Sequence, residues 1–264
     1  MTNRSIFCKI ALEQNAKVNT MIALLSPAKN MKKGQPPLSV PCFSDCARQL
    51  CAICRQMQPS ALEHCFRISP ELALKTYMLW QDHDDTNPAG SAATVYSGIA
   101  FTYLNAGDFT SEDMAFADDH LYILSALYGA LRPGDGISPY RLEMMCRSFP
   151  GGNLYKYWGD RVYRRVVKPG RTLVNLASAE YSRMITDYAG AQDDIIEVEF
   201  LTRKKGKLTQ QATYAKMARG SMVRYLIKNR LTDPEDLKAF CEFDFHFSEG
   251  LSDKNKYVFV REVQ

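Results

Sequence analysis

The chain has no long apolar run. Its most hydrophobic stretches, Met21 to Leu25 and Leu121 to Leu124, are far shorter than the ~20 residues a helix needs to cross a bilayer. A membrane-spanning role is not expected. Histidine is scarce: the four copies, His64, His83, His120 and His246, are scattered and form no metal-binding pair. There is no evident Ser-His-Asp or Cys-His arrangement for nucleophilic catalysis. Zinc-finger spacing and a basic zipper are also missing. Repeats and low-complexity linkers are absent, which excludes solenoids and tethered arrays.

What remains is an ordinary globular composition, 46% hydrophobic and 23% charged, in a chain long enough to bury a substantial core. Residues 1–20 read as an N-terminal extension that packs peripherally or stays disordered, ahead of one domain over 21–264. They are not a signal peptide, because Lys9 and Glu13 interrupt the short apolar run and no cleavage site follows. An extended or misassigned translation start is the expected reading of them.

The eight cysteines come without a secretory signal, so reduced thiols are expected rather than disulfides. Cys42, Cys46, Cys51 and Cys54, with His64 and Cys65 nearby, raise a metal site and geometry weighs against it. Capped by Ser44, a helix over 45–57 turns its core face through Cys46, Leu50, Ile53, Cys54 and Met57. Cys51 then lies about 140° round from Cys46. Small buried thiols are the expectation, with no metal and no cofactor.

The net charge of +4 is unevenly spread. Residues 201–230 carry nine Lys or Arg and no acid, and residues 131–171 carry nine more bases against Asp135, Glu143 and Asp160. Such polarisation suits a surface that meets polyanions, or two solvated basic faces.

Apolar patterning predicts strands over 21–25, 121–125, 172–176, 195–202, 207–213 and 257–263. The pair within 195–213 reads as a hairpin turning at Lys204-Lys205-Gly206. Helices are predicted over 45–57, 70–82, 111–120, 155–167, 215–231 and 234–239. Ser69-Pro70 marks one start, and Thr110 to Asp113 resembles a capping box. The segment 82–91 reads as a surface loop. The pattern implies one α/β domain with a mixed β-sheet flanked by helices.

Three strand ends carry chemistry. Ser26-Pro27-Ala28-Lys29 follows the first strand, where proline takes the chain out of the ladder. Ser125 precedes a glycine elbow, Gly129 to Gly136, and then Tyr140-Arg141-Leu142-Glu143-Met144. Asn175 to Tyr181 repeats the situation, with Ser178 capping a helix and Glu180 in its first turn. These ends and the Tyr96-Ser97-Gly98 turn converge only if the strands run parallel and adjacent. The helix after Tyr214 has Lys216, Arg219, Arg224 and Lys228 on the shoulders of an apolar arc.

Ser26 to Lys29, Val95 to Gly98, Leu124 to Met144, Leu154 to Asp160, Val174 to Tyr181, Tyr214 to Leu231 and Val258 to Arg261 occur in that order. Together they resemble the YaaA family of peroxide-stress-resistance proteins across nearly the whole chain. The extension and the cysteine-rich first helix depart from that pattern. The resemblance implies a compact mixed α/β domain with a basic cleft and a helix-hairpin-helix-like element. It also implies a cytosolic protein that binds DNA and limits the unincorporated iron behind oxidative DNA damage.

For DNA binding, Gly129, Gly134 and Gly136 would offer backbone N–H groups to phosphate, and Lys29, Arg132, Arg141, Lys216, Arg219 and Arg224 would neutralise it. Duplex or distorted DNA with little sequence preference is the expected partner. The alternative is an enzyme acting on a small phosphorylated or acidic molecule. Its pocket would hold Ser26, Tyr96, Tyr140, Asn175 and Ser178, with Lys29, Glu143 and Glu180 as the chemical groups. Direct iron sequestration is a third reading, and it lacks clustered ligands.

Overall fold

Continuous burial explains the centre of the molecule. Residues 21–25 are all 1% exposed or less, as expected of a strand covered on both faces. The computed structural model describes residues 20–263; the expected N-terminal extension lies outside the described residues, except for Thr20. In chain order the strands are β1 Thr20–Leu25, β2 Asn30–Met31, β3 Gly90–Ser91, β4 Tyr96–Ser97, β5 Leu121–Ser125 and β6 Gly129–Leu131. They continue with β7 Gly136–Ile137, β8 Arg171–Asn175, β9 Ile195–Lys204, β10 Lys207–Thr209, β11 His246–Phe247 and β12 Lys256–Val263.

The main sheet has the order β11-β12-β9-β8-β1-β5-β6, with β10 paired to β9. Strands β12, β9, β8, β1 and β5 run parallel to their neighbours. The pairings of β11, β6 and β10 are antiparallel. Parallel strands in the middle and hairpins at the margins make the mixed sheet, and helices flank it. From β1 the chain reaches β5 on one side and β8 on the other. This change of direction opens a crevice beyond the carboxyl ends of the strands, where open α/β sheets bind ligands.

Most predicted elements are present, with corrections at their ends. The first helix runs Ser44–Gln56, but Phe43 is its N-cap, and the Ser44 hydroxyl donates to the Pro41 carbonyl instead of capping. The expected 155–167 helix divides into Leu154–Trp158 and Arg161–Val166 at Gly159, whose φ is 52°. Strand β10 ends at Thr209 rather than 213, because the basic helix begins early and runs Ala212–Lys228. The capping box at Thr110 and Asp113 forms in both directions. Within the expected surface loop, His83 is buried and Gly90–Ser91 pairs with β7.

Two glycines fix close approaches. Gly129, with φ of 70°, faces Trp158, and a Cβ there would come within 2.7 Å of the indole. A Cβ on Gly220 would strike the Ala100 carbonyl, so helix Ala212–Lys228 packs backbone against backbone on helix Ile99–Leu104.

Candidate functional site

The carboxyl ends of β1 and β8 lie side by side, since Leu24 pairs with Asn175. The following turns are locked together: the Ser178 N–H donates to Ser26 Oγ at 2.7 Å, and Ser26 Oγ donates to Ser178 Oγ at 3.1 Å. Beneath them Asn175 is buried. Its side-chain amide donates to both Glu197 carboxylate oxygens, and its Oδ1 accepts from the Ala177 N–H. On the other side of β1, the buried Tyr140 hydroxyl bonds to Tyr96 at 2.7 Å and to Ser125 at 2.8 Å. That chain of hydroxyls anchors the segment carrying Arg141 and Glu143.

A cavity of about 340 Å³ opens above this floor. Ser26, Lys29, Tyr140, Arg141, Glu143, Ser178, Glu180, Lys216 and Arg219 all line it. The strand ends therefore converge as parallel, adjacent strands require. Four bases face two acids. Lys29 Nζ sits 2.7 Å from one Glu143 oxygen, and Arg141 lies 3.4 Å from the other. Glu180 accepts from the Met145 N–H at 3.3 Å, and burial pushes its carboxyl above the ordinary range.

Arg219 is set apart from these pairs. It forms no ion pair among the described residues, its Nε is buried without an acceptor, and burial pulls its guanidinium down. Arg141 Nε is likewise buried and unsatisfied. Buried donors normally find acceptors. Two guanidinium groups with spare donors on one cavity suit a carboxylate or phosphate oxygen.

Other expected residues lie elsewhere. The Gly134 and Gly136 N–H groups do not face outward as an anion cradle; Gly134 donates to Asp118 and Gly136 to the Ser39 carbonyl. Gly129 pairs with Ser125 inside the sheet. Because β6 runs back antiparallel to β5, Arg132 is carried away from the strand ends and lies 3.7 Å from Asp135. Arg224 is also outside the cavity. It forms a bidentate pair with Asp108, both bonds 2.7 Å, and donates to the Leu104 and Asn105 carbonyls. The reading of the residues missed Ile99 to Phe101, which close one wall. Their helix is only six residues long, too short for a visible period.

The comparisons with known proteins span the residues that line this cavity. A family model described as peroxide stress protein YaaA matches residues 21–251. The chain belongs to the YaaA family of peroxide stress proteins. Among its relatives, a UPF0246 protein of Agathobacter rectalis is 36% identical over 248 residues, covering 92% of this chain and 100% of its own. One from Clostridioides difficile is 36% identical over 247 residues, with coverage of 92% and 100%. Another, from Lacticaseibacillus paracasei, is 37% identical over 242 residues, with coverage of 90% and 98%. Among the described residues of this YaaA-family chain, no three His, Cys, Asp or Glu gather to hold a metal, and no helix is long and apolar enough to cross a membrane.

Proposed function

We propose that this protein protects cytosolic DNA under peroxide stress by binding it along the basic carboxyl edge of the sheet, limiting iron-driven damage. One observation carries the reading. Asn175 ends β8 opposite Glu197, whereas β9 continues to Lys204 with β12 beside it. At ~3.3 Å per residue this ribbon extends roughly 23 Å past the end of β8. Its tip bears Lys204, Lys205 and Lys207, all exposed and without ion pairs among the described residues. The ribbon leaves the sheet on the edge that holds Lys29, Arg141, Lys216 and Arg219. Bases along an extended edge match a polymer of phosphates better than one small anion.

The test is a titration of fluorescent duplex, gapped and single-stranded DNA at several salt concentrations. Binding should weaken with a log-log slope of about −0.9 per phosphate neutralised. Replacing the three ribbon lysines by alanine should make that slope shallower. Unchanged affinity and slope in that variant would remove the basis for the proposal.

A second reading rests on the cavity itself. About 340 Å³ suits one small phosphorylated or acidic molecule, beside a Glu180 carboxyl that burial raises above its ordinary range. Saturable binding of a nucleoside monophosphate, with no affinity for DNA, would favour it.

A further inference from the structure

Behind the cleft loop lies a group of thiols that neither reading uses. Cys65 is on helix Pro59–Phe66 and 2% exposed, while Cys146 is half-buried in the loop after Glu143. The Arg147 N–H donates to the Cys65 carbonyl at 3.1 Å, so the two backbones run side by side. The two thiols are near enough for each to shift the other's pKa, and Cys54 adds to the shift at Cys146. No disulfide joins them; both are free.

We propose that Cys65 and Cys146 are a peroxide-oxidisable dithiol that closes to a disulfide. The hydrogen bond from Cys146 draws the Cys65 thiol below its ordinary pKa, while the same contact and burial hold Cys146 above its own. Cys65 is therefore the more readily ionised thiol of the two, and its thiolate form is the nucleophile. Its sulfur attacks the peroxide, the O–O bond breaks, and Cys65 becomes a sulfenic acid as hydroxide leaves. Cys146 sulfur then attacks Cys65 sulfur and expels the hydroxyl, which leaves as water with the Cys146 proton. Two thiols are oxidised and one peroxide is reduced to two waters, counting the proton taken up by hydroxide.

The bond would act on the cleft through a short path. The Cys146 N–H donates to the Glu143 carbonyl at 3.2 Å, the Met145 N–H donates to Glu180, and Glu143 holds Lys29. A disulfide would tie this turn to the 59–66 helix.

The experiment exposes the reduced full-length protein to about one equivalent of hydrogen peroxide. Two of the eight thiols should disappear together, a peptide joining Cys65 to Cys146 should appear in the digest, and dithiothreitol should restore both. In Cys146→Ser the linkage should vanish, with Cys65 stopping at sulfenic acid at one equivalent and going on to sulfinic acid when a second equivalent of peroxide is added. Thiol loss without the 65–146 linkage overturns the proposal, and so does Cys65 remaining unoxidised in Cys146→Ser. Cys65→Ala tests the attacking thiol separately; its Cys146 should stay reduced, and if that variant does not fold, Cys146→Ser still decides.

Discussion

Two basic regions share helix Ala212–Lys228 and differ in how their charge is answered. At its start, Lys216 and Arg219 face a cavity where four bases meet two acids, and Arg219 forms no ion pair among the described residues. At its end, Arg224 is clamped by Asp108, and Asp113 lies 2.6 Å from Lys228 and 2.7 Å from Arg230. The bases of one region are neutralised within the fold, whereas Lys216 and Arg219 of the other form no ion pair among the described residues. A count of bases along 201–230 cannot separate them, because their partners come from residues 108 and 113, more than a hundred positions away.

The largest expected effect sits between the two regions. Gly220→Ala drives a methyl into the Ala100 carbonyl and should cost more than about 3 kcal/mol or prevent folding, as read by urea denaturation. Damage should reach both regions together. A normal melt would mean that the two helices do not pack backbone to backbone.

Next in size is a pair of arginine substitutions. Arg219→Glu should weaken DNA binding at least ~10-fold and flatten the salt slope by about one phosphate. Arg224→Ala should do the reverse, costing about 1 kcal/mol of stability through the lost Asp108 pair and leaving the slope in place. Equal effects on binding would erase the distinction.

A smaller effect separates the regions by the sign of their pH dependence. Hydrogen bonds from Lys228 and the Thr110 N–H hold the Asp113 carboxyl below its usual range. Its stabilisation is present above the ordinary aspartate value and is lost as pH falls through the depressed one. Burial raises Glu180 instead. Its contribution is full below the ordinary glutamate value and declines as pH rises through the folded one. Asp113→Asn should therefore flatten the acid limb of the stability profile, and Glu180→Gln should flatten the decline at higher pH. Chemical denaturation across the pH range reads both.

The smallest effect concerns the ribbon tip. Alanine at Lys204, Lys205 and Lys207 should change stability by no more than ~0.5 kcal/mol, because these side chains are exposed and touch no core. A larger loss of stability would assign them to the fold.

Much of the site was legible because it lies where apolar runs stop. Ser26, Lys29, Tyr140, Glu143, Ser178 and Glu180 follow predicted strands or their turns, and parallel pairing brings those ends to one edge. The glycine elbow misled because φ freedom was read as exposure. The Gly134 and Gly136 amides are instead used inside the protein by Asp118 and Ser39. Arg132 was misplaced by the antiparallel return of β6, a strand of three residues that leaves no period to read.

The sequence by itself determined the central parallel strands, the helix starts at Ser69 and Thr110 and the family, because each is written in local spacing of apolar and polar residues. It also located the bases. Only the tertiary structure decided which bases are neutralised, which thiols meet and which amides are already bonded. Those outcomes depend on distances between residues remote in the chain, and the Coulomb and hydrogen-bond energies that settle them fall off over a few ångströms.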